Sequence, residues 1–321
     1  MALFPDDAPA AQRTAAQLLG ELLGLDDDAP FGDDDVFEEA MDALAVAKPA
    51  AALKPSMPRF APPAPAPAVR AKTVVDFEAW LENQEYFDDL KFVNADEVRF
   101  TLSGETVTVE QDRRLGKGGH IWDGSYVLCE QLLAAPPAAL AAGGAKVLAL
   151  GAGAGLEGIL ISKLFPKTAV TITDGDSDIC ALAKRNVERN GASEATRVLQ
   201  LWWKSDEALA KEDDDDIWRP KKCDTEVGDS EIFDLIVAAE AVAPIYDAAA
   251  LVATLKRHSG PKTELRLLSK DGRWPLHAQK FYDLLRVDFD FTSVEPLSRL
   301  KAPYFRHVSG RRKASSFLKV L

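Results

Sequence analysis

The sequence predicts a doubly wound α/β domain with a mostly parallel seven-stranded sheet, and three observations carry that reading. After Gly143-Gly144 the short apolar runs KVLALG, TAVTIT, TRVLQL, FDLIVAA and ELRLLS alternate with helical stretches around ISKLF, ICALAKRNVERN, YDAAALVATLKRH and AQKFYDLLRV. Strand and helix in alternation give a parallel sheet covered on both faces. The first of these runs passes straight into glycines at Gly151 and then into a helix. The chain finishes with two strand-like runs, VDFDFTSVE and KASSFLKVL, with no long helix between them, so an antiparallel last strand is expected.

Ahead of this core, residues 1–70 read as a disordered tail. Within it, Leu18, Leu19, Leu22 and Leu23 have helical spacing, followed by acid clusters at Asp26–Asp28 and Asp33–Asp35. This reads as a transient amphipathic helix or a partner-docking one. Seven prolines between Pro49 and Pro67 amid alanine make an extended linker. The folded domain, residues 71–321, is expected to start with a helix over VVDFEAWLENQEYF. A hairpin follows, EVRFTL and ETVTVEQ around Ser103-Gly104, and then a helix over WDGSYVLCEQLLAA. Residues 204–230, with Asp213–Asp216 in a row, are too polar for a core and read as a solvated insertion between the third and fourth strands.

Charge narrows the class of function. The chain has 38 Lys+Arg against 51 Asp+Glu, net −13. Residues 1–68 hold 12 acids and 4 bases, which leaves 39 acids and 34 bases for the rest. Such a chain is repelled by phosphate backbones and anionic membranes, so neither nucleic acid nor membrane is expected as a partner. The longest apolar run, Leu132 to Leu150, is interrupted by Pro136, Pro137, Gly143, Gly144 and Lys146, so no membrane span is expected. The start MALFPDDAPA is acidic almost at once, unlike a secretory signal or a transit peptide, and the expected location is the cytoplasm, with the nucleus left open. Cys129, Cys180 and Cys223 form no CxxC pair, and the four histidines have no ligand spacing, so neither a disulfide framework nor a metal site is expected. His120 reads as structural, and Trp80, Trp218 and Trp274 as packing.

The chemistry-bearing signal is Gly151-Ala-Gly153-Ala-Gly155-Leu-Glu-Gly158. A strand that turns through glycines into a helix lets backbone amides approach a ligand. The run parses as GxGxG from Gly151 or as GxGxxG, the dinucleotide fingerprint, from Gly153. Asp174 ends the second strand, where an acid accepts hydrogen bonds from ribose hydroxyls, or caps the helix that follows. Nicotinamide and sulfonium cofactors both use an acid there.

From about Val107 onward the chain resembles the class I, seven-stranded, S-adenosylmethionine-dependent methyltransferases, in the branch that holds the protein-lysine methyltransferases. The marks are Gly119-His-Ile-Trp122-Asp-Gly, LGAGAGLEGI, VTITD ending in Asp174, NVERNG at Asn186–Gly191, LQLWW at Leu199–Trp203 and FDLIVAAE ending in Glu240. The resemblance implies a Rossmann-like methyltransferase fold with S-adenosyl-L-methionine as cofactor. It implies that Gly151, Gly153 and Gly155 pack against the methionine part, that Asp174 holds the ribose, and that Trp122 and Trp203 contact the cofactor. Indole faces suit both adenine and a sulfonium cation, although each tryptophan has an alternative place in the core, where Trp202 competes with Trp203. Two departures bear on affinity and activity. Ala149 stands where the family usually has an acid, and in the family's Asp-x-x-Tyr stretch Ala239 and Glu240 fit but Ala243 replaces the tyrosine. Tyr246 is the candidate substitute.

Methyl transfer from a sulfonium needs positioning more than covalent help. A lysine acceptor, with a reference pKa of about 10.4, must lose a proton, so an acid that orients the amine is the useful contribution. Glu240 is the candidate, with helix capping or surface pairing as its other reading. The expected function is methylation of a protein side chain, lysine first, by a monomer acting on a basic segment. The alternatives are a degenerate binding module, a histidine or small-molecule methyltransferase, and, on the second glycine parse alone, a nicotinamide oxidoreductase.

Overall fold

The computed structural model describes residues 72–82, 94–205, 227–228, 230–270, 272, 274–294 and 305–316. The expected tail and linker over 1–70, most of the insertion over 204–230, and Trp218 lie outside the described residues.

The described chain opens on a small sheet of Val74–Asp76 (β1), Glu97–Leu102 (β2) and Glu105–Glu110 (β3), with β1 parallel and β3 antiparallel to β2. Ser103 and Gly104 at the hairpin turn both take positive φ, 51° and 84°, as a two-residue turn matched to strand twist requires. The helix expected from Val74 instead begins at Phe77 (α1, Phe77–Glu82). β-branched Val74 and Val75 favour a strand and pair with Glu97 and Val98, and Asp76 Oδ1 accepts the Ala79 N–H at 3.1 Å, which starts the helix there.

The second sheet has seven strands: Lys146–Ala149 (β4), Ala169–Asp174 (β5), Thr196–Gln200 (β6), Phe233–Ala239 (β7), Ser259–Lys270 (β8), Phe289–Val294 (β9) and Phe305–Arg312 (β10). Their order is β6-β5-β4-β7-β8-β10-β9, parallel throughout except for β10, which runs antiparallel to both neighbours. Alternation along the strands divides the apolar side chains between two cores. Val147, Val170, Ile172, Leu235 and Val237 join residues of Asp123–Ala134 (α2), Leu156–Leu164 (α4), Ser177–Arg189 (α5) and the hairpin. Leu148, Leu150, Ile236 and Leu265 face the other way, onto Ala248–Arg257 (α6) and Pro275–Asp288 (α7). A short helix, Ala138–Ala142 (α3), leads into β4. This is the doubly wound architecture the sequence predicts, with the expected antiparallel last strand.

That last strand is not the one the sequence pattern points to. KASSFLKVL was the expected strand; Ala314–Ser316 is instead a 3₁₀ turn, and residues 317–321 lie outside the described residues. The strand is FRHVSGRR, whose polarity and glycine hide it. Gly310 lies opposite Phe291, and a β-carbon there would stand 2.7 Å from that of Phe291, so the aromatic residue occupies the glycine's place.

The hairpin is joined to the domain by two asparagines. Asn186 on α5 and Asn190, the cap at its carboxyl end, each offer a side-chain amide to the open edge of β3. Oδ1 of Asn186 accepts the Glu110 N–H at 2.8 Å and Oδ1 of Asn190 the Thr108 N–H at 2.9 Å, while their Nδ2 atoms donate to the same residues' carbonyls at 3.0 and 2.9 Å. The match is metric: four helical residues advance about 6 Å and two strand residues about 6.8 Å. NVERN therefore acts as a surrogate strand edge.

Candidate active site

Ligands of open parallel sheets bind beyond the carboxyl ends of the strands, where strand order reverses, here between β4 and β7. A cleft opens at that place. Its floor is the turn from β4 into α4, where Gly151, Gly153 and Gly155 take φ of 64°, 54° and 92°. These values belong to glycine, and at Gly153 a β-carbon would also lie 2.9 Å from the Gly118 carbonyl. The turn is fixed by Ala152 N–H donating to the Thr173 carbonyl at 2.8 Å, by Gly153 N–H donating to Asp174 Oδ2 at 3.2 Å, and by Asn186 Nδ2 donating to the Ala154 carbonyl at 3.0 Å. The asparagine that ties down the hairpin thus also holds the glycine turn.

Asp174, at the end of β5, lines the cleft. Burial pushes its carboxyl above the ordinary carboxylate range, and the N–H groups of Asp176, Gly153 and Gly175 act against that shift. Asp176, two residues on, is the cap of α5: its carboxylate accepts from Asp178 and Ile179. Asp174 is left to the cleft.

Trp122 lines the cleft from the residue before α2, its indole N–H held by the Lys117 carbonyl at 3.0 Å. The bent 3₁₀ segment Arg113–Gly119 that supplies this carbonyl also brings Lys117, Gly118 and, just beyond it, His120 to the wall. Burial and the charge of Arg113 lower the pKa of His120. Across the cleft, Ala239, Glu240 and Tyr246 come from the end of β7 and the loop after it. Burial, with the nearby Asp174 charge, pushes the Tyr246 phenol up to about 12, so it stays a neutral hydrogen-bonding group.

Eight of the nine sequence-predicted residues therefore line one cleft: Trp122, Gly151, Gly153, Gly155, Asp174, Ala239, Glu240 and Tyr246. Trp203 is not among the lining residues. A β-carbon on Gly151 would meet its indole at 2.8 Å, and its ring lies edge-on to Tyr246 with centroids 5.3 Å apart, so it supports both groups by packing. Trp202, the rival for the buried place, is 39% exposed and packs on Gly175. Ala149 is fully buried and its carbonyl accepts the Thr173 hydroxyl at 2.9 Å; Ala243 lines the cleft.

Two participants escape sequence reasoning. Trp274, read as packing, lines the cleft and is 42% exposed. Lys270, at the end of β8, reaches the same wall, and its ammonium meets Asp123 at 2.6 Å and Glu240 at 3.6 Å. The available signal was position, since Lys270 ends β8 at the carboxyl edge of the sheet and Trp274 immediately precedes α7. Among the described residues no group of three or more His, Cys, Asp or Glu could hold a metal ion.

Backbone without side chains at the turn, one acid beside it and indole and phenol rings around it fit a nucleoside cofactor with a cationic centre. The glycine turn, Asp174, Trp122 and Tyr246 are the residues that would hold it. A family model described as lysine methyltransferase matches residues 101–285, more than half of the chain. Protein N-lysine methyltransferase METTL21A of Danio rerio is 36% identical over 108 residues, which cover 32% of this chain and 47% of that protein; the chain thus spans about half the length of this relative. Among solved structures, a TehB-like SAM-dependent methyltransferase from Corynebacterium glutamicum aligns with a TM-score of 0.41 at 21% identity, covering 63% of this chain and 94% of that one. A SAM-dependent methyltransferase from Aquifex aeolicus aligns with a TM-score of 0.42 at 18% identity, over 57% of this chain and 88% of that one. The family match falls on the elements that build the cleft, and the chain belongs to the lysine methyltransferase family of class I, S-adenosylmethionine-dependent methyltransferases.

Proposed function

We propose that the chain is a protein N-methyltransferase that modifies lysine side chains. The observation that carries this reading is that Glu240 opens into the cleft of the glycine turn and Asp174. Bound S-adenosylmethionine supplies a methyl group already activated on a sulfonium. The protein's task is to orient the acceptor and to shield the site from water. Glu240 accepts a hydrogen bond from the incoming ammonium, which releases one proton to solvent before transfer, and orients the resulting amine, and the Tyr246 hydroxyl, neutral at physiological pH, offers a second contact. Trp122, Ile245 and Trp274 at the walls give an apolar passage for an aliphatic side chain.

The relative being a protein N-lysine methyltransferase supports the choice of acceptor. We take the methyltransferase domain to be residues 71–321 and residues 1–70 to be an acidic tail, the protein to be monomeric and cytoplasmic, and the target to be a basic segment drawn by the net charge of −13. No helix among the described residues is long and apolar enough to cross a membrane.

The test is incubation of the purified chain with tritiated S-adenosylmethionine and a fractionated protein extract, followed by identification of the methylated amino acid. Methyllysine that disappears with Asp174→Ala is the expected result. Methylhistidine, or S-adenosylhomocysteine binding with no incorporation, overturns the lysine reading; the second outcome would favour a binding module, to which Ala149 and Ala243 would then belong.

A further inference from the structure

One buried and one half-buried carboxylate of this fold share one lysine, and they do so unequally. Lys270 Nζ lies 2.6 Å from Asp123 Oδ1 and 3.6 Å from Glu240 Oε1, and 5.2 Å from the centre of the Phe305 ring. The Asp123 side chain is 1% exposed, that of Lys270 9% and that of Glu240 16%. Asp123 is thus sealed on the lysine, and Glu240 alone of the three keeps an appreciable opening to the cleft.

Glu240 is held on its other sides too. Its backbone takes φ of 57°, left-handed for a residue with a β-carbon, and its N–H donates to the Leu268 carbonyl at 2.8 Å. Its carboxylate lies against Gly124 in the first turn of α2, where a β-carbon would stand 2.5 Å from Oε1. Such a turn adds the favourable end of a helix dipole.

We infer that Lys270 is a positioning residue, anchored by Asp123, that fixes the Glu240 carboxylate toward the transfer point, and that the carboxylate so placed selects acceptors entering as ammonium cations. This rests on the reading of Glu240 as the residue that orients the acceptor. A neutral residue at position 270 would leave the two carboxylates to repel each other, and Glu240, the more exposed, would turn away.

The experiment compares two cofactor analogues by calorimetric titration of the full chain. S-adenosylhomocysteine is uncharged at the transfer point, whereas sinefungin carries an ammonium group there. The wild type is expected to prefer sinefungin by about tenfold, the scale of a charge-assisted hydrogen bond. Glu240→Gln abolishes the preference. Lys270→Met abolishes it as well, although it makes the site more negative, and Gly124→Ala does the same by displacing Glu240 with every charge retained. Lys270→Arg restores most of it, and S-adenosylhomocysteine affinity stays within about twofold throughout, since that ligand makes no charge-assisted contact there.

A preference that survives or grows in Lys270→Met while Glu240→Gln loses it overturns the positioning role and leaves the Glu240 reading standing. A wild type without the preference, or one that survives Glu240→Gln, overturns the Glu240 reading itself. If Lys270→Met fails to fold, Gly124→Ala decides, and an intact preference there refutes the proposal.

Discussion

Replacing Asn186 by alanine removes one side chain that serves two structures. The amide makes three hydrogen bonds: it accepts the Glu110 N–H at 2.8 Å and donates to the carbonyls of Glu110 and Ala154, both at 3.0 Å. Asn186 is fully buried, so water cannot readily replace it. At a net value of about 1 kcal/mol for each bond, the loss is about 3 kcal/mol, and stranded backbone groups push it upward. For a domain of this size that corresponds to a melting point lower by roughly 9 °C. Urea and thermal unfolding measure the stability, and titration with S-adenosylhomocysteine measures the site, which should weaken several-fold because the Ala154 carbonyl no longer holds its place. Asn190→Ala is the control. It cuts the Thr108 pair on the same edge but touches no glycine of the turn, so it should lower stability and leave affinity unchanged. A loss below about 1 kcal/mol for Asn186→Ala, or equal effects of the two variants on affinity, would refute the surrogate-edge argument.

Other outcomes follow from the same geometry. Burial pushes the Glu157 carboxyl up from 4.5 to about 7, with its own backbone N–H and the Ser125 hydroxyl acting against the shift. The protonated form is the one the fold prefers, so stability is retained below pH 4.5 and lost as pH rises toward 7; Glu157→Gln should gain about 3 kcal/mol at pH 8 and nothing near pH 4, read from unfolding at both. Gly153→Ala, at φ of 54° and with its new methyl 2.9 Å from the Gly118 carbonyl, should cost about 2 kcal/mol and at least about tenfold in S-adenosylhomocysteine affinity. Wild-type affinity in that variant would show that the turn is not the cofactor's seat. Deleting residues 1–68, which hold 12 acids and 4 bases around a proline-alanine linker, should shift the melting point by less than about 2 °C. A large loss would place that segment in the core.

The parts of the fold set by local chemistry were legible beforehand. The strand-helix alternation, the Ser103-Gly104 turn and the glycine turn each depend on residues close in sequence, and the candidate cleft gathers those same motifs from β4, β5 and β7. What was hidden depends on distant partners. FRHVSGRR becomes a strand because β8 and β9 flank it and Phe291 fills the space at Gly310, none of which its composition reveals. Lys270 looks like any strand-end lysine until Asp123 arrives from α2 and Glu240 from the end of β7. Tyr246, three residues past the place where the family has its tyrosine, reaches the cleft because the loop after β7 turns back, as the Tyr246 N–H bond to the Ala243 carbonyl at 2.9 Å records. Trp203, matched by motif, packs on Gly151 and Tyr246 and is not among the residues that line the cleft.

The place of β10 has a consequence for synthesis. Strands β4 to β8 can pair as they leave the ribosome, but β9 emerges before the strand that joins it to the sheet. Until Phe305–Arg312 inserts, β8 and β9 carry raw edges, and Lys270 lacks Phe305, its cross-strand partner and the ring beneath its ammonium. The wall of the cleft that holds Glu240 is thus completed only after the glycine turn and Asp174 are in place, because it waits for a strand that follows them by more than a hundred residues.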